Sequence, residues 1–260
     1  MNPTRLLVDQ RQAVVTITLN RPDLHNALDE ILIEELTGVF TQSGSDPGVR
    51  AIVLKGAGPS FCAGGDLNWM TRVAQYSHAE NLADARELQQ LFNAIAECPK
   101  VTIAQVHGAA MGGGVGLVAV CDIAIAAADT KFAFSEVRIG LAPAVIAPYV
   151  IEKIGYGAAR ALFVTGERFG ADEALRIGLV QQVVPADELE AAVQRKAESV
   201  LQTGPEAVAA AKRLLRDIEG KTPPEAAEAT VACIAALRAS PEGQEGIRAF
   251  LEKRKPDFSA

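Results

Sequence analysis

Long apolar segments and clusters of basic residues are both missing from this sequence of 260 residues. Its longest apolar stretches are interrupted by Gly, Asp or Lys well before the ~20 residues that a bilayer-spanning helix requires, so no membrane partner is expected. The formal net charge of −7 argues against nucleic acid as a partner, because phosphate binding needs clustered Lys and Arg. The opening Met-Asn-Pro-Thr-Arg has no apolar signal core, and we therefore predict a cytoplasmic protein.

Closely spaced cysteines and the common hydrolytic motifs are also absent. Disulfide frameworks are dense in short secreted chains, and zinc ligands come in close pairs, so Cys62, Cys98, Cys121 and Cys233 are predicted to be free buried thiols. There is no GxSxG turn, no HExxH sequence and no Walker lysine. A hydrolytic triad therefore has little support from the sequence, and no metal site is expected.

What the sequence does contain is the pattern of an α/β protein. Alternation around Leu6 to Val8 and Val14 to Leu19 predicts a hairpin, and one apolar face predicts a helix from about Asp29 to Phe40. Continuous apolar runs are typical of strands buried in an α/β core. Three such runs occur, at Ala51–Leu54, Val101–Val106 and Ile123–Ala127, and a further strand is predicted at Leu179–Val184.

The C-terminal part has a different sequence pattern. It predicts short amphipathic helices from about Tyr149 and helix throughout the last sixty residues. Thr222-Pro-Pro-Glu225 has capping-box spacing, and Ser240-Pro241 starts another helix in the same way. We divide the chain into a core of residues 1–200 that carries the active site and a helical assembly region of residues 201–260. Helices appended to such a core often serve assembly, since their apolar faces need a surface to pack on.

Two turns concentrate glycine beyond what a simple turn needs. One is Phe61-Cys-Ala-Gly-Gly-Asp-Leu67, and the other is the segment from His107 to Leu117, which contains Gly-Gly-Gly-Val-Gly. Glycine lets the backbone approach a ligand and aim bare N–H groups outward, although glycines after strands also serve tight turns and packing. If two such N–H groups converge, they form an oxyanion hole.

A dinucleotide-binding fold is the competing interpretation of the second turn. Gly114-Val-Gly116-Leu-Val-Ala119 matches GxGxxA, and Glu136 follows about 20 residues later. The next predicted strand begins near Ile123, which leaves two turns of helix where a crossover needs about ten or more residues. The context therefore does not favour nicotinamide chemistry.

Taken together, the motifs resemble the enoyl-CoA hydratase/isomerase (crotonase) superfamily over essentially the whole chain. They are Asn20-Arg-Pro22 with Asn26-Ala-Leu28, Phe61-Cys-Ala-Gly-Gly-Asp66, Gly112-Gly-Gly114 before Cys121-Asp122, and Phe250-Leu-Glu-Lys-Arg254. The resemblance implies an α/β fold, a spiral of ββα units with a C-terminal helical trimerisation region. It also implies an acyl-CoA substrate, with coenzyme A as part of the substrate and no permanently bound cofactor, and a homotrimer or a homohexamer built as a dimer of trimers.

The resemblance assigns roles to individual positions. Its oxyanion hole falls on the N–H groups of Gly65 and Gly113, and its acid/base glutamate falls on Glu136. The coenzyme A contacts fall on the segment from Leu24 to Ala27, on Ala63 where pantetheine passes, and on two C-terminal residues that reach the nucleotide in a neighbouring subunit. These coenzyme A positions are Leu24, His25, Ala27, Ala63, Phe250 and Lys253.

One departure from the family pattern bears on the reaction. Hydratases of the family use two glutamates, and the first falls on Gly116, which has no side chain. A single glutamate resembles the Δ3,Δ2-enoyl-CoA isomerases, and loss of one carboxylate is also compatible with a non-catalytic CoA-binding scaffold. The text from Gly65 to Met70 and from Ser135 to Ala144 resembles hydratases of 3-methylglutaconyl-CoA, whose hydrated form is 3-hydroxy-3-methylglutaryl-CoA. We favour that hydratase.

A carboxylated acyl chain needs a cation or hydrogen-bond donors in its pocket. Arg72 and Arg86 are the candidate cations, and Trp69 and Met70 are expected to form core or pocket wall. An ordered water in the space left at Gly116, or the distal carboxylate of the substrate, could orient the attacking water. The predicted substrate pocket consists of Asp66, Leu67, Trp69, Met70, Arg72 and Arg86.

Overall fold

The predicted N-terminal hairpin lies at one edge of the larger of two sheets in the computed structural model, which describes residues 3–258. Its strands, β1 (Leu6–Arg11) and β2 (Val14–Leu19), pair antiparallel. Every second residue of β2 is buried, as expected of a strand that covers the core with one face. The hairpin prediction is therefore confirmed.

Four parallel strands continue this sheet and correspond to the predicted apolar runs. In spatial order they follow β2 as β3 (Ala51–Gly56), β4 (Val101–Val106), β6 (Ile123–Ala127) and β9 (Gln182–Val184). The last strand is shorter than predicted. The N–H groups of Leu179 and Val180 both donate to Ala174 O, at 2.9 and 3.3 Å, so these two residues belong to a turn although they are buried.

A smaller three-stranded sheet positions the second glycine turn. It contains β5 (Ala109–Met111), β7 (Lys131–Ala133) and β8 (Arg168–Gly170), with β5 parallel to β7 and β8 antiparallel to β7. Met111 lies opposite Ala133 in the β5–β7 ladder. Because parallel strands end at the same edge, the glycines after β5 and the segment after β7 that carries Glu136 begin side by side.

Ten helices complete the described chain. The first extends the predicted helix to Ser45 and is capped by the Asp29 carboxylate, which accepts from Leu32 N at 2.9 Å. The helices are α1 (Glu30–Ser45), α2 (Leu67–Val73), α3 (His78–Ala96), α4 (Gly113–Val120), α5 (Ala147–Thr165), α6 (Ala171–Arg176), α7 (Leu189–Val200), α8 (Pro205–Ile218), α9 (Pro223–Ala239) and α10 (Pro241–Leu251).

The last three helices form the predicted helical region. Thr222 and Glu225 make the predicted capping box of α9, and Ser240 caps α10. Lys212 holds α8 against the core by donating to Asp122 Oδ2 at 2.6 Å and to Lys100 O at 2.8 Å. The α/β core with a helical C-terminal region is thus confirmed, while the division at residue 200 and the use of these helices in assembly remain predictions.

Three of the four cysteine side chains are buried in the core, as predicted. All four thiols are free, and Cys62, Cys98 and Cys121 are buried. Burial raises the pKa of Cys62 and of Cys121 to about 12, so both thiols are inert at neutral pH. Cys233 is only partly buried, which corrects the prediction for that residue. No helix within residues 3–258 is long and apolar enough to cross a bilayer.

Close backbone contact joins the two glycine turns. Cys62 and Ala110 form a parallel bridge, and Met111 N donates to Cys62 O at 2.9 Å. A Cβ added at Gly114 would lie 2.3 Å from Cys62 O, and one added at Gly64 would lie 2.9 Å from Met111 O. The turns can approach this closely only because both positions are glycine.

We expect Gly114→Ala to lower the free energy of unfolding by about 1–3 kcal/mol, the usual cost of overpacking, because the new methyl group must push the turns apart. Gly38→Ala is the matched control. Gly38 lies within α1 with no atom within 4 Å of an added Cβ, so this change should stabilise by about 0.5–1 kcal/mol. Urea denaturation measures both, and equal effects of the two variants would contradict this account of the turns.

Candidate active site

Two unpaired backbone N–H groups lie at equivalent ends of the joined turns. Gly65 and Gly113 each follow the bridged pair Cys62–Ala110 by three residues. Within residues 3–258, neither the Gly65 N–H nor the Gly113 N–H donates a hydrogen bond. Gly113 is the first residue of α4, so the positive end of the helix dipole adds to its N–H. The structure thus provides two free donors where the oxyanion hole was predicted.

The predicted coenzyme A loop lies directly against the first glycine turn. Ala63 N donates to His25 O at 2.9 Å, and Leu28 N donates to Gly64 O at 2.7 Å. His25 has a left-handed backbone with φ 50°, and its Nδ1 lies 3.0 Å from the Ser60 hydroxyl. Leu24 and Ala63 are exposed, whereas Ala27 is buried. The two segments predicted to contact coenzyme A, Leu24–Ala27 and the turn at Ala63, therefore lie side by side. The Ala27 side chain, however, is buried in the protein.

A buried ion-pair network holds the first turn to the N-terminal segment. Arg21 lies 2.7 Å from Asp66 and 3.1 Å from Asp29, and all three side chains are almost fully buried. Arg21 also donates to Ala27 O. The other Asp66 oxygen accepts from Asn68 N and Trp69 N, and the Arg21 hydrogen bond and these N–H groups hold the pKa of Asp66 below its ordinary value despite burial.

These contacts correct the prediction that Asp66 lines the substrate pocket. Both carboxylate oxygens of Asp66 are used within the protein, and the side chain is 4% exposed. Asp66 N also donates to Leu28 O at 2.8 Å. Asp66 is therefore a positioning residue, which fixes the chain immediately after the Gly65 N–H.

Glu136 lies over the second glycine turn. It belongs to a 3₁₀ turn, Ser135–Ile139, that follows β7, and Gly112 N donates to Ala133 O at 2.9 Å. A Cβ added at Gly112 would lie 3.0 Å from Oε1 of Glu136. The carboxyl group therefore packs on bare backbone, one residue from the free N–H of Gly113.

The environment of Glu136 favours its protonated form. Its Oε2 atom is buried and has no hydrogen-bond partner among the described residues. Burial raises the pKa of Glu136 above its ordinary value, against a smaller lowering by its own backbone N–H. A carboxyl group of raised pKa beside unpaired donors is the usual setting of a general acid or base.

Gly116 does not leave an open space, which corrects the proposed water site. A Cβ added at Gly116 would lie 2.3 Å from Cγ2 of Ile146 and 2.9 Å from a ring carbon of Phe92. Gly116 lies one helical turn after Gly112 and therefore on the same face of α4. A water needs polar partners, and this position has two apolar side chains instead.

The helix after the first turn supplies the predicted wall. Trp69 and Met70 lie next to Gly65, since a Cβ added there would be 3.5 Å from Trp69 Cζ3 and 3.5 Å from Met70 Sδ. The Trp69 indole donates to Asp84 Oδ1 at 2.9 Å. Leu67 differs from these two, because its side chain is 79% exposed.

Neither Arg72 nor Arg86, the cations predicted to bind a substrate carboxylate, lies unpaired in a pocket beside the glycine turns. Arg72 donates to both carboxylate oxygens of Glu30, at 2.6 and 2.7 Å, so its charge is already compensated. Arg86 is exposed on α3 and has no ion-pair partner in the part of the chain that the structure describes. A separate pocket beside Ala63 contains Arg138 and Arg168.

The predicted C-terminal contacts involve another chain and remain predictions. Phe250 is 81% exposed near the end of α10, and Lys253 follows with φ 55°. No group of three or more His, Cys, Asp or Glu within residues 3–258 could hold a metal ion.

Several residues of the site were not found by sequence reasoning. Arg21 lies within the Asn20-Arg-Pro22 motif. Its ion pairs with Asp29 and Asp66 join residues that are separated in the sequence, so only the fold reveals them. Phe92 belongs to α3 and Ile146 to the segment before α5, and nothing in the local sequence marks either one as a neighbour of Gly116.

We expect Glu136→Gln to raise Tm at pH 8 by about 1–3 °C. A carboxyl group whose folded-state pKa is raised contributes stability below its unfolded pKa of ~4.3, and this contribution is lost as pH rises through the folded pKa. The amide avoids that loss, so the difference should shrink towards pH 4. Thermal unfolding across pH 4–9 measures it, and parallel curves for the two proteins would contradict the raised pKa.

Comparison with known proteins places this geometry in a family. Residues 9–260 match the family described as Enoyl-CoA hydratase/isomerase. The crystal structure of an enoyl-CoA hydratase from Shewanella pealeana superposes with a TM-score of 0.95 at 40% identity, covering 98% of this chain and 96% of that one.

Two further relatives match this chain over nearly their whole length. Crotonyl-CoA hydratase of Syntrophomonas wolfei is 34% identical over 264 residues, covering 97% of both chains. The 2,3-dehydroadipyl-CoA hydratase of Escherichia coli K12 is 33% identical over 257 residues, covering 98% of both. With the paired glycine turns and the fold already described, these matches show that the chain belongs to the enoyl-CoA hydratase/isomerase family.

Proposed function

We propose that this protein is an enoyl-CoA hydratase that adds water reversibly across the 2,3 double bond of its substrate, with Glu136 as its single acid/base residue. The observation that carries the proposal is the buried Oε2 of Glu136, which has no hydrogen-bond partner among residues 3–258 and lies over Gly112, one residue from the free N–H of Gly113. Relatives of similar length carry hydratase names, which supports the reaction class. Coenzyme A enters as part of the substrate.

The proposed mechanism uses one carboxyl group twice. The Gly65 and Gly113 N–H groups bind the thioester oxygen, and the Glu136 carboxylate takes a proton as water oxygen bonds to C3. The π electrons of the 2,3 double bond move towards the thioester oxygen as an enolate, which the two donors stabilise. Protonated Glu136 then returns the proton to C2, so that H and OH have been added and Glu136 is again ionised.

The acyl group that we propose is branched and carboxylated, as in 3-methylglutaconyl-CoA. The segments Gly65–Met70 and Ser135–Ala144 support this choice through their resemblance to hydratases of that thioester. One relative is named for 2,3-dehydroadipyl-CoA, a thioester of a dicarboxylic acid. For the assembly we propose a trimer or a dimer of trimers, in which Phe250 and Lys253 reach the nucleotide bound to a neighbouring subunit.

Glu136→Gln should lower kcat for hydration of 3-methylglutaconyl-CoA by about 10²–10⁴-fold, the usual contribution of a general acid/base. Loss of the conjugated thioester absorbance measures the rate, and binding of 3-hydroxy-3-methylglutaryl-CoA by calorimetry shows whether the pocket is intact. A variant with near wild-type kcat would refute the role of Glu136. Binding without turnover of any enoyl-CoA by the wild type would instead identify a CoA-binding scaffold.

A Δ3,Δ2-enoyl-CoA isomerase is the second candidate, and the apolar surroundings of Gly116 are the observation that favours it. Isomerisation moves one proton between C4 and C2, so a single carboxyl group suffices and no water is needed. The position of the first hydratase glutamate, Gly116, is closed off by Ile146 and Phe92, which suits a reaction without a second acid.

The two candidates differ in their rates with matched substrates. If the enzyme is a hydratase, the wild type should convert crotonyl-CoA or 3-methylglutaconyl-CoA to the 3-hydroxy thioester at least tenfold faster than it converts 3-hexenoyl-CoA to 2-hexenoyl-CoA. Chromatography of the products in both directions measures this ratio. The reverse order of rates would replace the hydratase proposal with the isomerase.

A further inference from the structure

A pocket of about 450 Å³ opens beside the paired glycine turns and contains two arginines. Ala63 and Met111 line it from the turns, and Ser135 lines it next to Glu136. The rest of the lining consists of Ala133, Gly166, Arg138 and Arg168. Ala63, Met111 and Ser135 lie two, two and one residues before Gly65, Gly113 and Glu136, so the pocket adjoins the segments that carry the proposed site. Arg138 lies within the segment Ser135–Ala144 that resembles 3-methylglutaconyl-CoA hydratases, whereas Arg168 lies outside every motif that carries the family resemblance.

The positive charge in this pocket is not compensated by the protein. Asp and Glu are absent from its lining. Arg138 donates through Nε to Gly166 O at 2.7 Å, and its other guanidinium nitrogens have no acceptor within residues 3–258. Arg168 has neither a hydrogen bond nor an ion pair with any described side chain or backbone group. Arg72, by contrast, is paired with Glu30.

Glu136 does not take up this charge either. Neither arginine forms an ion pair with Glu136 within residues 3–258, and the buried Oε2 of Glu136 has no hydrogen-bond partner there. Two like charges in one pocket repel each other, and an anion between them would relieve that repulsion and accept charge-assisted hydrogen bonds. Arginine suits carboxylate and phosphate because its planar fork matches both.

We propose that Arg138 and Arg168 bind an anionic group of the acyl-CoA ligand, either a carboxylate of the acyl chain or a phosphate of coenzyme A. The contact of this pocket with Ser135, next to Glu136, fits the carboxylate, and its contact with Ala63, where the pantetheine arm is expected, fits the phosphate. The inference rests on the proposed acyl-CoA ligand but not on any turnover.

Equilibrium binding of unreactive saturated thioesters tests the site. Calorimetry would compare glutaryl-CoA, which has both anions, with butyryl-CoA, which has only the phosphates, and with butyryl-pantetheine, which has neither. The variants are Arg138→Gln and Arg168→Gln, with Arg138→Lys and Arg168→Lys to restore the charge. Arg176→Gln is the control, since Arg176 pairs with Glu173 on α6 and does not line the pocket.

Either source of the anion predicts at least a tenfold rise in Kd, which corresponds to about 1.4 kcal/mol. If the carboxylate binds here, only glutaryl-CoA weakens in the Gln variants. If a phosphate binds here, both CoA thioesters weaken equally and butyryl-pantetheine does not. In both cases the Lys variants should recover part of the affinity, and Arg176→Gln should match the wild type.

Two results would overturn the proposal. Unchanged Kd values for all three ligands would show that the arginines bind no part of them, and equal weakening of all three would show that they only shape the pocket. Thermal unfolding of each variant identifies a folding defect. If a Gln variant is misfolded, the Kd of the corresponding Lys variant, which keeps the positive charge, tests the proposal instead. A wild type that hydrates no enoyl-CoA, yet needs both arginines to bind glutaryl-CoA, would refute the proposed function and leave this site standing.

Discussion

The site depends on how closely two backbone segments approach each other. Gly64 lies against Met111 O and Gly114 against Cys62 O, at separations that leave no room for a side chain. This contact fixes the relative positions of two peptide units that end in unpaired N–H groups. Backbone donors held in this way need no reorganisation when charge develops on a bound oxygen, which is why such preorganisation is effective. The ion pair of Arg21 with Asp66 adds a third segment to the same arrangement, and removing one partner would leave the other charge buried and unpaired.

Glu136 differs from Asp66 in that no positively charged side chain pairs with its carboxyl group among the described residues. Its Oε2 has no hydrogen-bond partner within residues 3–258, and the apolar Ile146 and Phe92 pack on the neighbouring face of α4. An uncompensated buried carboxyl group destabilises the fold when ionised, and selection for stability alone would remove it. The same lack of partners keeps its proton affinity high, as proton transfer to or from carbon requires. Stability and reactivity are therefore set against each other at this residue.

The sequence predicts those parts of the molecule that depend on neighbouring residues. Periodicity located the hairpin and the buried strands, and the glycine runs located both turns, since each signal lies within a short segment. It failed where distant segments meet. Arg21 and Asp66 are 45 residues apart in the chain, and Gly116 contacts Phe92 and Ile146 from two other elements. A glycine in the sequence shows that a side chain is missing there, but not whether water or another side chain fills the space.

What fills that space constrains how water can enter the reaction. A water molecule is held where it has two or more polar partners, and the atoms nearest to the Cβ position of Gly116 are the apolar carbons of Ile146 and Phe92. In the hydration that we propose, Glu136 itself would hold the attacking water through Oε2, which has no hydrogen-bond partner among the described residues. Water and an acyl C4 hydrogen would then compete for the same carboxylate, because both must lie within its reach. Under this proposal, the shape of the acyl chain beside Glu136 would decide between addition of water and movement of the double bond, while the N–H groups of Gly65 and Gly113 would stabilise the enolate in either reaction.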